Sequence, residues 1–179
     1  NLYEGYQFPS LNPITRKDLY QSLITISYSE RYWVNNLLQV TPFKLPLSSS
    51  LKKVANIAIK KRFVCNRVEI DKDLKKQINK KFDKIPLVDI LVGTFYIYLS
   101  RLGSKNTFTL DYSDHSVRNF TNGLNSFLSS EISLTVDISG KVTAYEAIQK
   151  SLDIKSKSLK NHTYSLDIKE RYPFLKEKY

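Results

Sequence analysis

One long apolar segment, Leu87–Leu102, constrains the fold more than any other part of the sequence. Pro86 precedes it, where the first turn of a helix tolerates a proline, and Gly103 follows it, where helices commonly end. Four polar or small residues interrupt the segment: Asp89, Gly93, Thr94 and Ser100. Because of them, it lacks the run of ~18 apolar residues that a membrane-spanning helix needs. We therefore expect a largely buried helix within a globular domain.

A second helix is predicted over residues 15–38, where apolar side chains recur at spacings of three, four and seven. These side chains are Leu19, Leu23, Ile26, Trp33 and Leu37. Thr15 is placed to cap the helix, and the poor helix formers of Thr25–Tyr28 predict a possible break. The prolines that follow predict an extended linker over residues 41–50.

Three segments have the pattern of β-strands. Phe63–Ile70 and Thr107–Tyr112 are rich in β-branched and aromatic residues, and apolar residues alternate with polar ones over Ile132–Ile138. The alternation predicts a strand with one buried face. Polar residues dominate positions 113–130, so we expect a long loop there with little regular structure.

Two further helices are predicted from their N-terminal signals. Asp71 can cap a helix that runs to about Lys84, and Thr143 and Glu146 form a capping box before a helix that runs to about Asn161. With 41% hydrophobic and 25% charged residues, the chain is not of the disordered or collagen-like class. Helices between strands then predict an α/β fold, in which a mixed β-sheet is covered by helices.

The formal charge of +11 raises nucleic acid or an anionic membrane as a partner. However, the positive residues are scattered along the chain, and no zinc-finger spacing, aromatic RNA-binding signature or basic arm is present. A solvated, lysine-rich surface is the simpler interpretation. We therefore predict neither a nucleic-acid nor a membrane partner.

Few residues of the sequence are candidates for catalysis or metal binding by their type alone. Cys65 is the single cysteine, so the chain has no internal disulfide. Together with the only two histidines, His115 and His162, it gives too few ligands for a structural zinc site. A single cysteine without a disulfide favours a reducing, cytoplasmic setting. His115 lies beside hydroxyls and an acid, so it is either a general base or an exposed polar residue. The helix dipole is a sufficient structural role for His162 at a helix end.

The candidate binding residues lie around the predicted loop. Arg118 has the chemistry to bind a carboxylate or phosphate, or to anchor the loop through an ion pair. Small hydroxyls at Ser129 and Ser130 would leave space and donate hydrogen bonds in the wall of a ligand channel. An ordinary polar junction between loop and strand is the alternative.

Several segments, in order, resemble the condensation domains of nonribosomal peptide synthetases. Arg31–Leu37 resembles the tyrosine-tryptophan helix of that family, and Ile85–Leu102 resembles the buried helix that opens the second lobe. Residues 108–138 resemble a stretch of the family in which a strand is followed by an arginine, then by a glycine/phenylalanine motif and then by another strand. Asp167–Pro173 resembles a segment found further on in some members. The resemblance is collinear over roughly Leu19–Leu175.

The resemblance implies a chloramphenicol acetyltransferase-like fold of two lobes with the reaction in a tunnel between them. The whole chain, 1–179, would be a single partial domain: 1–50 the end of the first lobe with a lobe-crossing helix and linker, and 51–179 an incomplete second lobe. The absence of methionine also favours an internal excerpt. The family's catalytic signature begins with two adjacent histidines, which this sequence lacks, so no catalytic residue is predicted here. The implied tunnel-lining residues are Ser129, Ser130 and Arg118.

The implied reaction joins two thioester substrates, each tethered to a carrier protein, through a new amide bond. The resemblance implies no cofactor in this chain, because phosphopantetheine would be attached to the partner carrier domains. Acyl or peptidyl carrier domains and neighbouring synthetase domains would be the partners, and acidic carriers would suit a basic surface. The alternatives are a non-catalytic basic binding module, or an alcohol-accepting acyltransferase of the same fold.

Overall fold

The computed structural model describes residues 12–44, 68–103 and 105–178. Within these ranges the helices are α1 Pro13–Ser27, α2 Glu30–Leu38, α3 Lys72–Lys81, α4 Leu87–Leu102, α5 His115–Phe120, α6 Ala144–Lys160 and α7 Ile168–Arg171. The strands are β1 Thr107–Tyr112 and β2 Ile132–Asp137, and a 3-10 helix spans Pro173–Lys178. The fold is therefore mixed α and β, as the order of sequence patterns predicts.

The chain divides into two compact units. Unit 1 comprises Asn1–Val40, Asp111–Ser133 and Lys157–Tyr179, and unit 2 comprises Thr41–Leu110 and Leu134–Ser156. A hydrophobic cluster in unit 1 consists of Ile26, Leu124 and Leu128. A cluster in unit 2 consists of Ile85, Ile90 and Ile148, with side chains of α3 and α6 packed against it.

Strands β1 and β2 pair with each other in antiparallel register. Side-chain hydrogen bonds link three cross-strand pairs: Thr107 with Asp137, Thr109 with Thr135, and Asp111 with Ser133. On the other side of β1, the Thr109 amide donates to the carbonyl of Thr41 at 2.7 Å, next to a parallel bridge between Pro42 and Thr109. Main-chain directions around β1 are therefore mixed, although the sheet has only two strands within the described ranges.

The alternation in β2 predicts its apolar face correctly. Ile132, Leu134 and Val136 are all at most 1% exposed. The opposite face is less exposed than the sequence pattern indicates, since Ser133 is buried as well. A buried hydroxyl is tolerated there because the Asp111 carboxylate accepts its hydrogen bond at 2.9 Å.

The predicted break in the first long helix is confirmed, because α1 ends at Ser27 and α2 begins at Glu30. The prediction of Thr15 as the cap is wrong. The Asn12 side chain caps α1 and accepts a hydrogen bond from the Thr15 amide at 2.8 Å. Pro13 occupies the first turn, where its missing N–H leaves no helical bond unmade.

The bounds predicted for α4 are confirmed at both ends, but the prediction that the helix is largely buried is wrong. One face is buried: Asp89, Ile90, Gly93, Tyr96 and Leu99. The other face is 41–60% exposed: Val88, Leu91, Phe95, Tyr98 and Leu102. The buried face packs against α6 so closely that a Cβ on Gly93 would lie 2.8 Å from the Ile148 Cα atom.

Both predicted N-terminal caps of the remaining long helices are confirmed. The Asp71 side chain accepts from the amides of Asp73 and Leu74, and α3 then ends at Lys81, three residues before the predicted end. The Thr143 amide donates to the Glu146 carboxylate at 2.8 Å and the Glu146 amide donates to the Thr143 hydroxyl at 3.2 Å. These are the reciprocal bonds of a capping box.

The prediction of an irregular loop over 113–130 is wrong in part, since α5 lies within it. Asp114 caps α5 by accepting from the Val117 amide at 3.0 Å, and the Val117 side chain is buried. Most of the predicted strand Phe63–Ile70 lies outside the described residues, as does Cys65, and residues 68–70 are not in a strand. Among the described helices, none is long and apolar enough to cross a membrane.

Candidate functional site

The main chain around Ser129 is held firmly at the entrance to β2. The Ser129 amide donates to the Tyr164 carbonyl at 2.9 Å, and the Thr163 hydroxyl donates to the Ser129 carbonyl at 2.7 Å. The Ser129 hydroxyl itself donates to the Glu131 carbonyl at 2.7 Å. A serine chosen from the sequence as a channel residue is thus fixed through both its backbone and its side chain.

Three further polar side chains gather around Ser129 in unit 1. The Ser133 hydroxyl donates to the Asp111 carboxylate across the sheet at 2.9 Å, and the Tyr164 phenol lies near enough to Ser129 and Ser133 for both to affect its pKa. We call these four residues the hydroxyl cluster: Asp111, Ser129, Ser133 and Tyr164. Asp111 is exposed and Ser129 half-buried, so the cluster reaches the surface of unit 1.

The electrostatics of the hydroxyl cluster keep the Tyr164 phenol protonated. Burial raises the pKa of Tyr164 above its ordinary value near 10, and the negative charges of Asp111 and Glu131 raise it further. Hydrogen bonds from Ser129 and Ser133 act in the opposite direction but are outweighed. A phenol is already protonated at neutral pH, so Tyr164 is able to donate a hydrogen bond there, and the raised pKa changes its charge only in alkali.

The Tyr164 ring is positioned by a fully buried aromatic residue of unit 1. Its ring centroid lies 5.2 Å from that of Trp33, which is 0% exposed. Trp33 is fixed in turn, because its Nε1 donates to the Asn161 carbonyl at 2.8 Å. The neighbouring Tyr32 hydroxyl lies 2.9 Å from the Ser158 hydroxyl, which adds a second link between α2 and the end of α6.

A network of ion pairs and hydrogen bonds holds α7 beside α2. Arg171 donates to the Glu30 carboxylate and to the Ser165 hydroxyl, and Tyr172 donates to Glu30 at 2.7 Å. The hydrogen bond from Arg171 is the main cause that lowers the pKa of Glu30 below its ordinary value. These contacts secure the segment that follows Tyr164 in the sequence.

The other two predicted tunnel residues are not members of the hydroxyl cluster. Ser130 is exposed, and its carbonyl accepts from the Ser113 hydroxyl at 2.8 Å. Arg118 is exposed on α5, and in the part of the chain that the structure describes no hydrogen bond or ion pair joins its side chain to Ser129 or Ser130. Their role as tunnel residues stays a prediction.

The histidines also lie outside the hydroxyl cluster. His115 begins α5, is exposed, and has its Nε2 atom 3.0 Å from the Asn119 amide nitrogen. His162 follows α6 with φ of 55°, in the left-handed region, and its ring stacks on Phe120 at 4.8 Å. A residue in this conformation commonly ends a helix. The interaction of His162 with the helix dipole stays a prediction.

Sequence reasoning missed three members of the cluster. Asp111 and Ser133 occupy polar positions of predicted strands, which was the available signal, but only the register of β1 against β2 joins them. Tyr164 has no local signal, because its place depends on Trp33 and on the turn after α6. The cluster offers phenol and serine hydroxyls with one carboxylate, that of Asp111, and these groups suit a ligand that carries both N–H donors and carbonyl acceptors.

The charge of the protein is divided unequally between the units. Unit 2 has 18 Lys and Arg against 8 Asp and Glu, a net charge of +10. Unit 1 has 10 against 9, a net charge of +1. The excess that looks scattered along the sequence therefore belongs almost entirely to one unit.

Comparison of the chain with protein-family models, with curated proteins and with solved structures gave no match.

Proposed function

We propose that this chain is part of a condensation domain of a nonribosomal peptide synthetase, which forms an amide bond between two thioester substrates tethered to carrier proteins. The observation that carries the proposal is the hydroxyl cluster at the entrance to β2. It contains Ser129, one of the residues that the resemblance implies as tunnel-lining. The proposal extends to the two-lobed chloramphenicol acetyltransferase-like fold, in which this chain would supply mainly the second lobe.

The chemistry of the cluster suits the positioning of the two reactants. In the reaction, the amine nitrogen of one substrate attacks the thioester carbonyl carbon of the other, the C–S bond breaks, and the thiol leaves. The Tyr164 phenol and the Ser129 hydroxyl would donate to a carbonyl oxygen of a substrate, and the Asp111 carboxylate would accept from its N–H groups. Fixed orientation of two tethered reactants supplies a large part of the rate in such a reaction.

The residues of this chain do not supply the general base in this proposal. The sequence has no adjacent histidines, and the structure places His115 and His162 outside the cluster. Proton transfer would belong to the histidine pair that is typical of the family. The role of the hydroxyl cluster is therefore to bind and orient substrates.

The carrier domains would bring both the substrates and the cofactor. Phosphopantetheine, as the arm of each carrier, would present the thioester, and no cofactor is assigned to this chain. The net charge of +10 on unit 2 favours encounter with acidic carrier domains.

The test uses the full-length protein that contains this sequence, with one carrier loaded with an acyl group and another with an amino acid. We expect the amide product on the acceptor carrier, detected by its mass. Tyr164→Phe should lower kcat/KM about tenfold, the equivalent of one lost hydrogen bond. Tyr20→Phe, at an exposed tyrosine of α1, is the matched control and should have no effect.

Three results decide between the alternatives. Amide formation that falls with Tyr164→Phe and not with Tyr20→Phe supports the proposal. Product with alcohol acceptors alone would instead assign an alcohol-accepting acyltransferase. No transfer to either acceptor would overturn the enzymatic proposal.

A second candidate, a basic binding module without catalysis, is favoured by the surface of α3. This helix has no buried residue, and five of its ten residues are lysines: Lys72, Lys75, Lys76, Lys80 and Lys81. Such a surface would bind an acidic protein or nucleic acid. Oligonucleotide binding that weakens steeply with salt would support the nucleic-acid form, whereas no binding at low salt would exclude it.

A further inference from the structure

The exposed face of α4 is an apolar stripe in unit 2. Its side chains recur at spacings of three, four, three and four residues: Val88, Leu91, Phe95, Tyr98 and Leu102. Each is 41–60% exposed. This spacing is that of the apolar seam by which one helix packs along another. We call this set the α4 stripe.

The exposed charge on α4 itself is positive. The only acidic residue of α4 is Asp89, which is buried on the opposite face and pairs with Lys155. The remaining charged residue of the helix is Arg101, which is exposed in its last turn. Lys84 before the helix and Lys105 after it are exposed as well. Asp83, beside Lys84, is exposed too, so the positive charge next to the apolar stripe comes from Arg101 and Lys105 at its C-terminal end.

A cleft lies beside the C-terminal end of α4, on the side of the helix that faces the start of α6. It has a volume of about 200 Å³, and Ser100, Arg101 and Asn106 lie in its wall. A guanidinium beside side chains that donate hydrogen bonds suits a carboxylate. Arg101, one turn after Tyr98, is the residue of this wall that flanks the α4 stripe, so an occupant of the stripe would gain from an acidic side chain near it.

We propose that the α4 stripe docks an acidic amphipathic helix of a partner protein. The apolar seam of the partner would lie along the α4 stripe, and its flanking carboxylates would face Arg101 and the surrounding lysines. The net charge of +10 on unit 2 gives the charge complementarity that selects an acidic partner and speeds its association. The proposal does not depend on the condensation-domain assignment.

The test measures binding of designed peptides to the full chain by fluorescence anisotropy. The probe is a fluorescein-labelled peptide of about 21 residues, six helical turns, with Leu at the seam positions and Glu on both flanks. The control peptide has Lys at every Glu position. We expect the Glu peptide to bind at low salt and to weaken as salt screens the charges, and the Lys peptide not to bind.

Variants of the chain locate the binding surface. Leu91→Ser combined with Phe95→Ser should weaken the Glu peptide at least about tenfold, because central apolar anchors dominate such interfaces. Arg101→Glu should weaken it and reduce its salt dependence. Tyr20→Ser is the control, since Tyr20 is 67% exposed but lies on α1 in unit 1, and it should bind as the unchanged chain does.

Three outcomes would overturn the proposal. One is equal binding of the Glu and Lys peptides, and another is no binding of the Glu peptide at low salt. The third is self-association of the chain, seen by sedimentation and abolished by the Leu91→Ser and Phe95→Ser pair, which would assign the α4 stripe to a second copy. Circular dichroism of each variant checks that a loss of binding is not a loss of fold.

Discussion

The Lys155 ammonium on α6 donates to the Asp89 carboxylate on α4, and the two side chains are only 14% and 8% exposed. An ion pair removed from water in this way depends on both partners, because loss of one charge leaves the other buried without this ion pair. The pair links α4 to α6 in unit 2 at the same face where Gly93 permits close contact.

Removal of one partner of this pair should be strongly destabilising. We expect Asp89→Ala to lower the free energy of unfolding by about 3–5 kcal/mol in a urea titration, and Asp89→Leu combined with Lys155→Leu to recover most of that loss. Asp73→Ala is the matched control, since the Asp73–Lys76 pair is fully exposed to solvent screening and should contribute little. Equal effects of Asp89→Ala and Asp73→Ala would show that the buried pair contributes no more than a surface pair.

The close contact between α4 and α6 predicts that even one added methyl group at Gly93 lowers the stability of the protein. A Cβ at Gly93 would lie 2.8 Å from the Ile148 Cα atom and from the Ser151 hydroxyl, so Gly93→Ala must push the helices apart. We expect a loss of about 1–3 kcal/mol despite the better helix propensity of alanine. Thr94→Ala, at the exposed neighbouring position, should change the free energy of unfolding by less than about 0.5 kcal/mol. A stabilised Gly93→Ala variant would contradict the close packing.

The raised pKa of Tyr164 predicts a loss of stability in alkali. Tyr164 is neutral when protonated, and its folded pKa lies above the unfolded value near 10, so the unfolded state loses its proton first as pH rises. Stability should therefore fall above about pH 10, and Tyr164→Phe should make that fall shallower. Urea midpoints measured between pH 9 and pH 11 test this, on either side of the ordinary tyrosine pKa. Tyr20→Phe is the control, and an equally shallow fall in that variant would argue against the role of Tyr164.

The ion pair of Glu30 with Arg171 predicts a loss of stability in acid. The folded pKa of Glu30 lies below its ordinary value near 4.5, so its contribution is complete above that pH and disappears as pH falls through the folded pKa. Glu30→Gln should therefore reduce the dependence of the urea midpoint on pH in the acid range. Glu170→Gln changes a more exposed carboxylate on α7 and serves as the control. The prediction fails if both variants keep the acid dependence of the unchanged chain.

Local signals in the sequence predicted most of the element boundaries. The limits of α4 and β1, the capping box before α6, and the break between α1 and α2 all depend on residues within a few positions of each boundary. The helix α5 was missed because six residues are too few for an apolar period to emerge, although Asp114 supplies the cap. The cap of α1 was predicted at the wrong residue because Asn12 and Thr15 are both acceptable capping residues.

The candidate site was predicted less completely, because it is assembled from distant parts of the chain. Ser129 was identified from small hydroxyls at a loop-to-strand junction, yet its partners depend on strand register and on the aromatic contact between Trp33 and Tyr164. No pattern in one segment specifies contacts between residues more than a hundred positions apart.

The sequence by itself determined where most of the helices and strands begin and end, and which side chains are apolar. Only the tertiary structure decided which apolar face of α4 is covered, how β1 aligns with β2, and that the positive charge collects in unit 2. The physical reason is range: capping and periodicity act over a few residues, whereas burial and charge clustering depend on which segments pack together.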